Sequence, residues 1–246
     1  MRLIATDFDG TLNHDGIDET KVDAIRKWRQ SGNKFGIVSG RGPEFLTKLN
    51  DMLEKEFDFF ISCNGSYATD NKGNLLFKEY CECIDVRGFV TDLFEWGATM
   101  VHIYYGDKFL RVVPDTSYEE YDYILKEMPA ITSFYKISTV LEDFENAERI
   151  ANEVKDRYGT LANPLLNRRW LDVVPAGVDK AEGIRHLCNV LGIDNGNVIV
   201  IGDAMNDMTM IKDFRSYAME CGDIRLKESA MYVVKSIKDL IMRELE

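Results

Sequence analysis

Residues 3–16 read LIATDFDGTLNHDG. Leu3-Ile4-Ala5 has the unbroken apolar character of a strand covered on both faces, yet it stops at two aspartates one residue apart, Asp7 and Asp9. A solvated loop would account for two charges without any chemistry. The choice between a loop end and a site depends on what the rest of the chain brings beside them.

Outward from that stretch, apolar runs alternate with amphipathic segments. A helix is predicted over 19–31, with Val22, Ile25 and Trp28 on one face, and "KFGIVSG" (34–40) reads as a strand. A second helix opens at Gly42-Pro43, with Phe45, Leu46, Leu49, Met52 and Leu53 on its stripe, and "FDFFISCNG" (57–65) is the next strand. The last third resumes the rhythm. A helix over 179–192 carries Asp179 as N-cap and Glu182 three residues on, a capping-box pattern. "NVIVIGD" (197–203) is the most strongly β stretch, followed by a helix near 206–214, a strand at 216–220 and a closing helix at 236–245.

The middle differs. A helix at 86–96, a hairpin about Gly106-Asp107, a helix near 117–127, a strand near 131–140, a helix near 143–157 and two strands around 160–174 give antiparallel character. Its aromatics, Tyr104, Tyr105, Phe109, Tyr118, Tyr121 and Tyr123, read as domain core. The fold class is therefore α/β: a doubly wound, Rossmann-like parallel-sheet core from 1–83 and 175–246, with an inserted α+β domain at 84–174.

Composition narrows the function. The 246 residues carry a formal net charge of −12, which argues against nucleic-acid or anionic-membrane partners because no broad positive field exists. Five cysteines without a CxxC and three scattered histidines give poor support for zinc and suit reduced thiols in the cytoplasm. No apolar run reaches membrane-spanning length, and the charge at Asp7 interrupts any signal-peptide core.

In a doubly wound sheet, ligands bind beyond the carboxyl ends of the strands. Those ends here carry Asp7-Phe8-Asp9-Gly10-Thr11, Ser39-Gly40-Arg41, Asn64-Gly65, and Asp203 with Asn206 and Asp207; Lys180 opens a helix just after the insertion. Two carboxylates 4 Å apart repel by about 4 kcal/mol at moderate dielectric. A hard divalent ion with oxygen ligands, Mg²⁺ above all, removes that penalty and also binds phosphate. Lys180 at a helix start faces the positive end of the dipole, which an anion nearby would offset.

Asp7-Phe-Asp9-Gly10-Thr11-Leu12, Ser39-Gly40-Arg41, Lys180 and Gly202-Asp203-x-x-Asn206-Asp207 resemble, in order and spacing, the four motifs of haloacid-dehalogenase (HAD) superfamily phosphatases. An insertion between the second and third motifs resembles the Cof-type, IIB-capped branch, and the likeness covers the whole chain. It implies that Asp7 is a nucleophile forming an aspartyl-phosphate and that Asp9 is the acid/base. It further implies that Asp7, the Asp9 backbone carbonyl and Asp203 hold Mg²⁺, with Asn206 and Asp207 orienting the site. Gly10, Ser39, Gly40, Lys180 and Asn206 would bind phosphate. Arg41, Asn64 and Gly65 stand where they would line the substrate edge. The chain departs from the pattern at Ala181, where family members often carry glycine after the lysine.

The function expected from this resemblance is Mg²⁺-dependent hydrolysis of a small phosphorylated metabolite, such as a sugar phosphate, beneath a cap formed by the insertion. Two rivals stay open: a phosphomutase of the same superfamily, and a non-catalytic sugar-phosphate binding protein. Oligomeric state is not set by the sequence.

Overall fold

The structure, a computed structural model, describes residues 1–53 and 56–246. The chain divides into two units, Met1–Lys78 with Asp179–Glu246, and Glu79–Val178. Both divisions lie a few residues outside 84 and 174. Cys81 pairs with Phe134 as an isolated bridge and Asn163 donates to the Val178 carbonyl at 2.8 Å, which ties both flanks to the second unit.

The first unit begins with β1 (Leu3–Thr6), α1 (Glu19–Gln30), β2 (Lys34–Val38), α2 (Pro43–Met52) and β3 (Phe59–Ser62). A hairpin of β4 (Tyr67–Asp70) and β5 (Leu75–Lys78) follows, which the short, mixed 67–78 segment did not announce.

The second unit holds α3 (Val86–Glu95), β6 (Val101–Tyr105), β7 (Lys108–Val113), β8 (Tyr123–Ile124), β9 (Lys136–Val140), α4 (Phe144–Tyr158), β10 (Ala162–Asn167) and β11 (Trp170–Pro175). Its six-stranded sheet runs β10-β11-β9-β6-β7-β8. The helix expected near 117–127 does not form. Asp115 accepts from the Ser117 amide at 2.8 Å in a tight side-chain turn, and Asp122 exchanges backbone and side-chain bonds with Arg111. The segment pairs with β7 instead, ending in a short parallel strand. The aromatic cluster also divides by strand alternation: Ile103, Leu110 and Val112 enter the core under α3 and α4, whereas Tyr104 and Phe109 pair on the opposite face of the sheet.

The chain returns to the first unit through α5 (Lys180–Leu191), β12 (Val198–Gly202), α6 (Met208–Asp213), β13 (Arg215–Met219), α7 (Ile224–Ser229), β14 (Tyr232–Val234) and α8 (Ile237–Leu245). The eight-stranded sheet has the order β14-β13-β12-β1-β2-β3-β4-β5, parallel from β14 to β3. Burial explains the continuous apolar runs. Leu3, Ala5, Val198 and Val200 pack in one core cluster with Ile184 and Leu187, while Ile4, Ile199 and Ile201 pack in the other with Ile25, Trp28 and Ile241. From β1 the chain steps outward to β2 and β3, then restarts at β12 on the other side, so β1 and β12 flank the switch point. Among the described residues no helix is long and apolar enough to cross a membrane.

Candidate active site

Asp203, Asp7 and Ser39 each stand one residue beyond the last paired position of neighbouring strands β12, β1 and β2. The Asp7 amide still donates to the Ile201 carbonyl at 2.9 Å, so the nucleophile candidate is fixed by the sheet itself. Parallel pairing is what aligns these ends on one edge.

After Asp7 the backbone makes one wide turn, Phe8–Leu12, closed by the Leu12 amide on the Asp7 carbonyl, in which Gly10 has φ 85°. A Cβ at Gly10 would overlap the Asp203 carboxylate, 2.8 Å from its Cγ. Glycine is therefore required twice, for the left-handed backbone and for the approach of Asp203. The Thr11 hydroxyl donates to Asp203 Oδ1 at 2.7 Å, a link between the first and fourth motifs.

Lys180 is the first residue of α5 and is buried. The Asp179 carboxylate accepts from the Glu182 amide at 2.9 Å, the cap that the sequence pattern indicates. The Lys180 Nζ donates to Asp7 Oδ1 and to Asp207 Oδ1, both at 2.5 Å. The other Asp207 oxygen accepts from the amides of Asp203 and Ala204 at 3.0 and 3.1 Å, so Asp207 couples the lysine to the Asp203 loop. The start of α5 is seated closely: a Cβ on Gly183 would lie 2.6 Å from the Gly65 Cα. Gly65, at φ 112° and buried beside Asn64, is part of that seat. Ala181 is buried in the core cluster beneath the helix.

Charge at this edge is unbalanced. Burial pushes the Asp7 carboxyl well above the usual carboxylate range; Lys180 opposes the rise, and the charges of Asp207 and Asp203 add to it. For Lys180 burial favours loss of the proton, but the Asp207 and Asp7 carboxylates outweigh it and hold the ammonium above its ordinary value. Oxygens of Asp7, Asp203 and Asp207 lie within 4.8 Å of one another, with one ammonium among them. Asn206 Oδ1 is buried without a protein partner. This donor set suits a hard divalent cation.

Asp9 is placed differently. Its half-exposed carboxylate takes a bidentate pair from Arg41, with Nε to Oδ2 and Nη2 to Oδ1 each at 2.8 Å. The guanidinium lies over Phe45 at 4.6 Å, and Phe45 meets Phe8 edge-on at 5.3 Å. Arg41, expected at the substrate edge, thus contacts the acid/base candidate. Ser39 is buried; its Oγ accepts from the Arg41 amide at 3.2 Å and its carbonyl from the Asn64 amide at 2.9 Å, with partly exposed Gly40 between. The sequence reading missed Thr11 as a holder of Asp203, Gly183 as the seat of α5, and the Arg41–Asp9 pair. The first lay in the quoted motif, while the others needed contacts across more than thirty residues.

A family model for haloacid dehalogenase-like hydrolases matches residues 4–240. YxeH of Bacillus subtilis strain 168, a phosphatase candidate by name, is 27% identical over 233 residues, covering 86% of this chain and 84% of its own. A 5-amino-6-(5-phospho-D-ribitylamino)uracil phosphatase of the same organism is 26% identical over 242 residues, covering 95% and 89%. Among solved structures, a protein from Streptococcus mutans UA159 superposes with a TM-score of 0.82 at 20% identity, covering 100% of this chain and 99% of its own. A HAD subclass IIB sugar phosphatase superposes at 0.76 with 18% identity, covering 100% and 97%. These structural likenesses bear on the fold, and the family match reaches from the β1 aspartates to the closing helix. The chain belongs to the haloacid dehalogenase-like hydrolase family, in its Cof-type branch, and is a phosphatase of that family.

Proposed function

We propose that this enzyme hydrolyses phosphomonoesters of small polyhydroxylated metabolites through an aspartyl-phosphate on Asp7, with Mg²⁺ as cofactor. The carrying observation is the Lys180 bridge from Asp7 to Asp207, with Asp203 held alongside by Thr11 and by the Asp207-capped loop. Three carboxylates around one buried ammonium are poorly stable alone and well suited to a cation and a phosphoryl group together.

In the first step an Asp7 oxygen attacks phosphorus, the bond to the leaving oxygen breaks, and Asp9 gives that oxygen a proton. In the second, Asp9 takes a proton from water, the water oxygen attacks phosphorus, and the bond to Asp7 breaks. Lys180, the Ser39 hydroxyl and the Gly40 amide are assigned to the phosphoryl oxygens. Asp7, Asp203 and the Asp9 carbonyl would hold Mg²⁺, which supplies further neutralisation of phosphoryl charge, while Asn206 and Asp207 orient these groups. Because Arg41 occupies both Asp9 oxygens, proton delivery needs Asp9 to turn off the guanidinium. Both side chains are about half exposed, so water can replace the pair's hydrogen bonds as Asp9 turns.

The substrate class rests on the relatives, whose names describe a sugar phosphatase and a phosphatase of a phosphoribitylamino compound. Selectivity within that class is assigned to the second unit, the α+β insertion between the second and third motifs. The test is Asp7→Asn, assayed with an aryl phosphate and a panel of sugar and polyol phosphates. The expected result is a loss of phosphate release of about a thousandfold or more with an unchanged circular dichroism spectrum. Undiminished release by that variant refutes the assignment. Isomer interconversion without free phosphate would favour the mutase instead.

A further inference from the structure

Lys21 occupies a position that is hard to explain as a surface lysine. It lies in the first turn of α1, at the positive end of the helix dipole, and is 8% exposed. A buried ammonium there must be offset by something. Its Nζ donates to three backbone carbonyls, Leu12 at 3.2 Å, His14 at 2.5 Å and Gly16 at 2.5 Å. An ammonium has three N–H donors, and the three carbonyls match them in number. The loop bends to allow this: Asp15 and Gly16 have φ of 57° and 86°, and the aspartate adopts the left-handed region at some steric cost.

The caged loop continues directly from the Phe8–Leu12 turn of the site. The Leu12 amide donates to the Asp7 carbonyl at 3.2 Å, so Leu12 is held by Asp7 at its nitrogen and by Lys21 at its oxygen. The His14 amide donates to the Thr11 carbonyl at 3.3 Å, and the Thr11 hydroxyl holds Asp203. Carbonyls turned toward one point repel unless a cation sits among them, which is how carbonyl cages bind monovalent ions.

We propose that Lys21 is a positioning residue, its ammonium acting as an internal monovalent cation in a three-carbonyl cage that fixes residues 8–16 and thereby sets the places of Asp9 and Thr11. Only the catalytic consequence rests on the function proposed above for Asp9; the cage itself does not. Removing the ammonium frees the end of the turn while leaving the sheet, the Lys180 bridge and α1's Asp18 cap in place.

The test compares Lys21→Ala with the parent protein in potassium chloride and in tetramethylammonium chloride at equal concentration. In tetramethylammonium, amide exchange over 10–16 is expected to rise about tenfold, with β2 and α8 unchanged, and kcat to fall ten- to a hundredfold with KM nearly constant, the scale of a misplaced catalytic group. Potassium, small enough for the cage, is expected to restore both readouts at least about threefold in the variant and to leave the parent unaffected. Equal behaviour in the two salts, exchange rising across the whole unit, or parent-like values in both salts would each overturn the proposal. Should Lys21→Ala not fold, Lys21→Ser opens the same space and carries the same comparison. The exchange readout separates the two ideas: local exchange rescued by potassium, alongside an active Asp9→Asn variant, would keep the cage and reject the role of Asp9.

Discussion

On the eight-stranded sheet Asp7, Asp203 and Asp207 gather about one lysine, whereas on the six-stranded sheet Lys136 meets Asp172 and Arg111 meets Asp122, each at 3.4 Å. The second arrangement balances its charges within the sheet, with Ser138 also donating to Asp172 and the Lys136 ammonium over Tyr104 at 4.7 Å. The first keeps an excess of negative charge at the ends of parallel strands. Balanced pairs hold a surface in shape, and an unbalanced cluster invites a cation and the phosphoryl group that a cation helps bind.

Metal removal should set the two sheets furthest apart. Chelation is expected to abolish phosphate release, and Mg²⁺ at a hundred times its dissociation constant to restore it and to stabilise the folded chain by about 2.7 kcal/mol. Differential scanning calorimetry with and without Mg²⁺ checks this, and stability independent of the ion would mean the carboxylate excess is tolerated unaided. After that loss of all activity comes Asp172→Ala, which should leave phosphate release in place and lower stability. It removes a carboxylate partner of the buried Lys136 ammonium, and denaturant unfolding should show a loss of about 3 kcal/mol with the Mg²⁺ response intact. A loss of the Mg²⁺ response in that variant would contradict the separation of roles.

The smallest effect concerns pH. His102 is held below its ordinary value, first by burial and then by the Lys136 and Arg111 charges. Its neutral form is thus favoured in the fold. The stability this contributes is present above the unfolded value, about 6.5, and is lost as pH falls below it, because the unfolded chain then binds the extra proton. The unfolding midpoint should fall more steeply between about pH 7 and 5 for the parent than for His102→Gln. Equal slopes would mean that His102 contributes nothing to this pH dependence.

Much of this division was legible in the amino-acid order. Period-two burial cannot alternate with polar residues when both faces are covered, so Leu3-Ile4-Ala5 and Val198–Ile201 declare a parallel core by being apolar throughout. The Asp179–Glu182 cap declares the start of α5 and hence the place of Lys180. What was not legible depends on distant partners. Nothing local tells that 117–122 will satisfy Arg111 instead of forming a helix, or that β14, three residues long, will pair with β13. Asp9 shows the same limit within the site: its spacing from Asp7 marks it for chemistry, but only the fold brings Arg41, more than thirty residues away, onto both its oxygens. Hydrophobic period reports burial, and side-chain pairing across the sheet edge has no period to read.

A phosphoryl group carried on Asp7 would leave a reducible acyl bond at that residue. Acid-quenching the parent enzyme within its first turnover of a labelled sugar phosphate, reducing with borohydride and sequencing the peptide spanning residues 3–16 tests it directly. Position 7 is expected to be recovered as homoserine, with Asp9 untouched. Reduction at Asp9 alone, or label release with no reducible acyl-phosphate anywhere in the peptide, would contradict it.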